Sequence, residues 1–149
     1  MKVLGVIPAR GGSKGIPRKN IKVLCGKPLI QYTIEAAKSS KISHVVVSTD
    51  CTEISKLALE LGCAVIMRPS YLATDLATTQ SVLMHAIDCM GDQYDAVVTL
   101  QPTSPFRTCH HIDSALEIFS AYPASDSLVS VVKVPHNFSK SKQMNLKKG

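Results

Sequence analysis

A basic, glycine-rich stretch follows directly on an apolar run at the start of this chain, and that junction limits the folds open to it. Val3-Leu4-Gly5-Val6-Ile7 is apolar without alternation, the pattern of a strand buried on both faces. Residues 7–20 then read Ile-Pro-Ala-Arg-Gly-Gly-Ser-Lys-Gly-Ile-Pro-Arg-Lys-Asn. Gly11, Gly12 and Gly15 permit tight turns and present backbone N–H groups without Cβ interference. Arg10, Lys14, Arg18 and Lys19 stand among them with Ser13 and Asn20, and no acid occurs before Glu35. Backbone donors and clustered cations on a loop after a strand form an anion cradle, for which a polyphosphate is the natural guest. A solvated basic loop is the plainer alternative, but it leaves the interleaved glycines and prolines unexplained.

Beyond the loop, strand and helix patterns alternate. Val23-Leu24-Cys25 precedes a turn at Gly26-Lys27-Pro28, and Pro28 suits the first position of a helix running to Ser39. Short apolar strands are expected at 45–47, 64–67, 96–100 and 128–134. Between them lie a helix over 52–61 closed by Gly62, one around Val82 to Met90 capped by Thr78 or Thr79, and one over 111–120. This alternation predicts an α/β fold with a doubly wound, mostly parallel sheet. Ligands of such sheets bind beyond the carboxyl ends of the strands. The loops holding Arg10 to Asn20, Asp50, Arg68 and residues 101–107 all leave strand carboxyl ends, so they are expected to share one mouth.

At 149 residues the chain is expected to form one domain over 1–138 followed by an irregular tail at 139–149, where it looks cut short. The net charge of +6 invites a nucleic-acid reading, but four tyrosines, three phenylalanines and no tryptophan supply no aromatic-interleaved basic stripe. A small polyanionic substrate accounts for the charge better. Five cysteines without CxxC spacing suit reduced thiols in a cytoplasmic protein. The N-terminus makes a poor signal peptide, and no run approaches the ~20 apolar residues of a membrane span.

The loop is neither a Walker P-loop, since Lys14 is followed by Gly15, nor the Gly-x-Gly-x-x-Gly dinucleotide fingerprint. What remains is a nucleotidyltransferase, whose loop after the first strand grips a nucleoside triphosphate attacked at its α-phosphate. Such chemistry normally uses Mg²⁺ held by carboxylates. Asp50 and Asp75 are candidate ligands, although Asp50 equally suits a helix cap, Asp75 a loop hydrogen bond and Asp95 a turn. Cys109-His110-His111 lacks a partner cluster for a metal, and His85, His136, Ser13 and Ser104 form no hydrolase arrangement. Gln101, Thr103, Ser104 and Arg107 make a dense polar set suited to substrate contact.

Residues 7–20, Gly-Lys-Pro-Leu-Ile at 26–30, Ser-Thr-Asp at 48–50, Arg-Pro at 68–69 and Leu-Gln-Pro-Thr-Ser-Pro-Phe-Arg at 100–107 occur in order. Together they resemble the acylneuraminate cytidylyltransferases, whose relatives activate legionaminic or pseudaminic acid. The resemblance implies a Rossmann-like nucleotidyltransferase fold and conversion of CTP and a nonulosonic acid to a CMP-sugar and pyrophosphate, with Mg²⁺. It implies that Arg10, Ser13, Lys14, Lys19 and Asn20 grip triphosphate and ribose, joined by the Gly12 N–H. Lys19, with Arg10 and Lys14, would stabilise charge in the transition state. Arg68 and Thr79 would correspond to cytidine-recognising positions, Gln101 to a sugar contact, and Thr103 joins Gln101 as a substrate-binding candidate. Family members run on for roughly half as much chain again, and that part carries the metal aspartates and the arm through which full-length relatives form homodimers. A nucleotide-binding remnant without turnover is therefore the alternative.

Overall fold

The computed structural model describes residues 1–133. The expected domain end at 138, the tail at 139–149 and His136 lie outside the described residues. Four parallel strands form the sheet, in the order β5-β4-β1-β6. They are β1 (Val3–Pro8), β4 (His44–Thr49), β5 (Ala64–Met67) and β6 (Ala96–Thr99). Between β1 and β4 the chain also makes a small antiparallel ribbon of β2 (Val23–Leu24) and β3 (Lys27–Pro28).

β1 is central, hydrogen-bonded to β4 on one side and β6 on the other, with Val6 opposite both Val46 and Thr99. Its unbroken apolar run follows from that place, because side chains on both faces are buried: Val3 and Ile7 point into one core, Leu4 and Val6 into the other. The first core is covered by α1 (Leu29–Lys38), α2 (Thr52–Glu60) and α4 (Cys109–Ala121). α1 presents Ile30, Thr33, Ile34 and Ala37, one stripe at helical spacing. The second core is covered by α3 (Thr79–Met90) through Leu83, Ala86, Ile87 and Met90. Helices on both faces make the sheet doubly wound, as the alternation of patterns predicts.

The strand order also locates the site. From β1 the chain builds outward through β4 to β5, then returns by α3 across the opposite face to place β6 on the other side of β1. The order reverses between β1 and β6, so the loops leaving those two strands part there and open a crevice.

Two local expectations change. Leu128 to Lys133 forms no strand: Val129, Val131 and Val132 are exposed and no sheet edge takes up their backbone. A period-two apolar pattern becomes a strand only with a partner, and among the described residues none is offered. Val134, the end of that predicted strand, lies outside the described residues. Pro28 ends β3 and immediately precedes α1, because its N-terminal neighbour Lys27 is paired with Leu24 in the ribbon.

Candidate active site

A cleft of about 520 Å³ opens at the crevice between β1 and β6, within the usual range for small-molecule sites. Four segments line it: the loop after β1, Arg68 after β5, the run from Leu72 to the start of α3, and Gln101 to Thr103 after β6. Arg10, Ser13, Lys14, Lys19, Asn20, Arg68, Thr79, Gln101 and Thr103 all face it. Residues up to 93 positions apart thus meet at one mouth, as parallel strands require of loops leaving their carboxyl ends.

The loop after β1 is braced from below. Gly11 N–H donates to Asp50 Oδ1 at 3.0 Å, and the buried Asn20 donates through Nδ2 to the Arg10 carbonyl at 3.0 Å. A one-turn 3-10 helix, Lys19–Ile21, follows, seated against α1. None of the three loop glycines adopts a left-handed φ, and the tight turn lies across Gly12, where the Ser13 N–H donates to the Gly11 carbonyl at 3.1 Å. Gly11 instead permits close approach: a Cβ there would lie 2.9 Å from the Cys51 Cβ. Gly12 is exposed and outside the cleft lining, and a Cβ on it or on Gly15 would meet open space.

The four loop cations divide. Arg18 carries the left-handed turn, at φ 55°, and pairs with Glu53 on α2, away from the cleft. Arg10 and Lys14 both engage Asp75, Arg10 Nη1 lying 2.7 Å from its Oδ1. Lys14, then Arg10, holds the Asp75 carboxyl below the usual carboxylate range. Lys19 lines the cleft and makes no ion pair among the described residues.

Arg68 is the buried cation of the site, its side chain 4% exposed. Its Nη2 lies 3.9 Å from Asp50 Oδ1, and its Nε has no hydrogen-bond partner. Burial lowers its pKa from the ordinary arginine value, while Asp50 opposes that shift and Arg10 adds to it. The guanidinium remains charged, because arginine does not deprotonate in proteins. A buried unpartnered donor is costly, so this wall of the cleft favours a ligand with acceptors.

Other side chains take roles the sequence left open. Asp50 caps no helix; it ties the loop to Arg68. Thr78 is the α3 cap, accepting from the Ser81 N–H at 3.1 Å, which leaves Thr79 at the first helical position on the cleft. Arg107 and Ser104 do not line the cleft. Arg107 turns back to donate to the Gln101 carbonyl at 3.4 Å, and Ser104 N–H also donates to it, so they hold the loop that presents Gln101. Asp95 accepts from the Lys2 N–H at 2.5 Å at the opposite end of the sheet. His111 Nδ1 accepts from the Thr108 N–H, capping α4.

No group of three His, Cys, Asp or Glu side chains converges among the described residues, and the two carboxylates near the cleft pair with Arg10 and Lys14 or with Gly11 and Arg68.

The family model described as Cytidylyltransferase matches residues 4–148. The chain belongs to the cytidylyltransferase family. Among its cytidylyltransferase relatives, an N-acylneuraminate cytidylyltransferase from Escherichia coli is 40% identical over 133 residues, covering 89% of this chain and 32% of that protein. A CMP-N,N'-diacetyllegionaminic acid synthase from Legionella pneumophila is 40% identical, covering 95% of this chain and 63% of that one. A solved CMP:2-keto-3-deoxy-manno-octonic acid synthetase complexed with CTP matches with a TM-score of 0.73 at 26% identity, covering 83% of this chain and 49% of that chain. The chain thus spans about a third to just under two thirds of the length of these curated relatives. The Legionella pneumophila protein is longer by roughly half as much chain again, and the Escherichia coli protein by more.

Proposed function

We propose that this chain is the nucleotide-binding part of a cytidylyltransferase that joins CTP to a sialic-acid-like nonulosonic acid, releasing pyrophosphate. The observation that carries this is the cleft itself: three loop and strand-end cations and one uncommitted lysine around the switch point of a chain in this family. The CTP in the related solved structure and the sugar acids named for the relatives agree with it.

In this reading Arg10, Ser13 and Lys14 take the triphosphate, with Gly12 beside them at the outer turn and Asn20 bracing the loop toward the ribose. Arg68 and Thr79 read the cytosine edge, where an ill-matched base would leave buried polar groups unpaired. Gln101 and Thr103 face the sugar acid. The anomeric hydroxyl forms the new oxygen–phosphorus bond at the α-phosphate and gives up its proton to solvent, as the bond to the β-phosphate breaks and pyrophosphate leaves with that bond's electron pair. Lys19, paired to no acid among the described residues, would meet charge that grows in that step. Mg²⁺ would neutralise charge on the triphosphate in this step. Homodimerisation is proposed by analogy with full-length relatives, and a cytoplasmic location suits five free thiols.

The decisive experiment is pyrophosphate release from CTP with Mg²⁺ against N-acetylneuraminic, legionaminic and pseudaminic acids and Kdo. Release with one nonulosonic acid is expected. Silence with all four, while calorimetry still detects CTP, would leave a binding remnant. Lys19→Ala should lower turnover at saturating CTP by at least about 100-fold, the scale of losing one transition-state donor, while CTP binding persists. A variant with weaker CTP affinity but normal saturated turnover would sink that role for Lys19.

A further inference from the structure

Two of the cations that face the cleft are already engaged by an acid of the same chain. Asp75 sits on the run between the one-turn helix Ser70–Ala73 and α3 and lines the cleft. One of its oxygens meets Arg10 Nη1 and the other meets Lys14 Nζ. A single carboxylate thus occupies the place between two cations that a bridging phosphate group would take. Both pairs remain accessible, with side-chain exposures of 33% for Arg10, 82% for Lys14 and 43% for Asp75. Exposed ion pairs are individually weak, so a ligand bringing several charges can displace this one. Lys19 is not part of the arrangement.

We propose that Asp75 is an internal competitor for the polyphosphate site, holding Arg10 and Lys14 until a ligand with enough negative charge displaces it. This rests on the nucleotide reading above only for the identity of the ligand. Asp75 then acts as a charge filter. A ligand with one phosphate can use Lys19 and leave Asp75 in place, whereas a di- or triphosphate must take Arg10 and Lys14 from it. The competing structural role, in which Asp75 organises the two cations for the ligand, predicts the opposite sign.

Calorimetry on the full 149-residue chain and its Asp75→Asn variant distinguishes them, with CTP, CMP and inorganic tripolyphosphate as probes. Removal of the competitor should tighten CTP and tripolyphosphate about threefold to tenfold, and CMP by less than about twofold. Asp92→Asn is the control: it deletes the same charge beside Lys2, at the far end of the sheet, and should leave all three affinities unchanged. Unchanged or weaker CTP and tripolyphosphate binding by Asp75→Asn overturns the proposal. So does equal tightening of CMP, or equal tightening by Asp92→Asn, either of which reduces the effect to net charge. If the wild-type chain binds tripolyphosphate but not CTP, the nucleotide reading fails while the competition is still measured. Absence of tripolyphosphate binding by both proteins overturns the competition, and absence of CTP binding as well overturns the nucleotide reading with it.

Discussion

At the residue scale, the loop after β1 depends on what lies beneath it more than on its own glycines. Gly11 is the one whose missing side chain matters, since an added Cβ would sit 2.9 Å from the Cys51 Cβ, a rigid neighbour. Gly11→Ala should therefore destabilise the fold by about 1–3 kcal/mol, the usual cost of overpacking. Cys51→Gly should recover at least half of that loss in the double variant, which urea unfolding of the four proteins would show. Additive losses would mean the clash lies elsewhere. Cys63 offers a pH test. Buried between α2 and β4, its thiol is pushed up to about 11 by desolvation, with Lys38 and the backbone opposing. The folded state favours the neutral thiol, so its contribution is complete below the unfolded pKa near 9 and is lost as pH rises toward 11. Unfolding free energy should fall about 2 kcal/mol further between pH 7.5 and 10.5 in the wild type than in Cys63→Ala. Equal slopes would contradict the burial argument.

At the element scale, helices were readable where an apolar stripe coincided with a stop signal. Gly62 and Gly91 end α2 and α3 in the left-handed region, at φ 67° and 64°, because only glycine enters it without penalty. The ribbon β2–β3 was harder to read. Its turn needs two left-handed residues in succession and places Cys25 at φ 47° before Gly26 at φ 83°, where Asn-Gly is the ordinary choice. Cys25→Asn should raise stability by about 0.5 kcal/mol, since asparagine tolerates this backbone better. A melting temperature higher by about 2 °C would register it, and an unchanged or lower one would show that Cys25 makes compensating contacts. The segment from Leu128 failed as a strand for the reverse reason: its pattern is correct, but pattern alone supplies no hydrogen-bonding neighbour.

At the scale of the whole molecule, stability is concentrated in two layers flanking β1. Ile34 is 1% exposed within the larger layer, so Ile34→Ala should cost about 2–5 kcal/mol. Val131 is 85% exposed, and Val131→Ser should stay within about 0.5 kcal/mol of wild type in the same denaturation series. A large loss at Val131 would place that segment in a packed environment. The sequence by itself determined the doubly wound sheet, the helices and the membership of most site residues, because buried parallel strands and loops at their carboxyl ends leave local signatures. Arg10, Lys14, Lys19, Arg68 and Gln101 could be assigned to one mouth on that ground alone. Only the tertiary structure decided how the charges divide there. Arg18 departs to Glu53, Asp50 joins Gly11 to Arg68, and Asp75 bridges Arg10 and Lys14. Except for Asp50 and Arg68, each of these acids lies more than 30 positions from its partner, and no periodicity or spacing along the chain encodes which cation a distant carboxylate will meet. Packing of the loops against one another settles that choice, since ion pairing requires side chains to converge within about 4 Å.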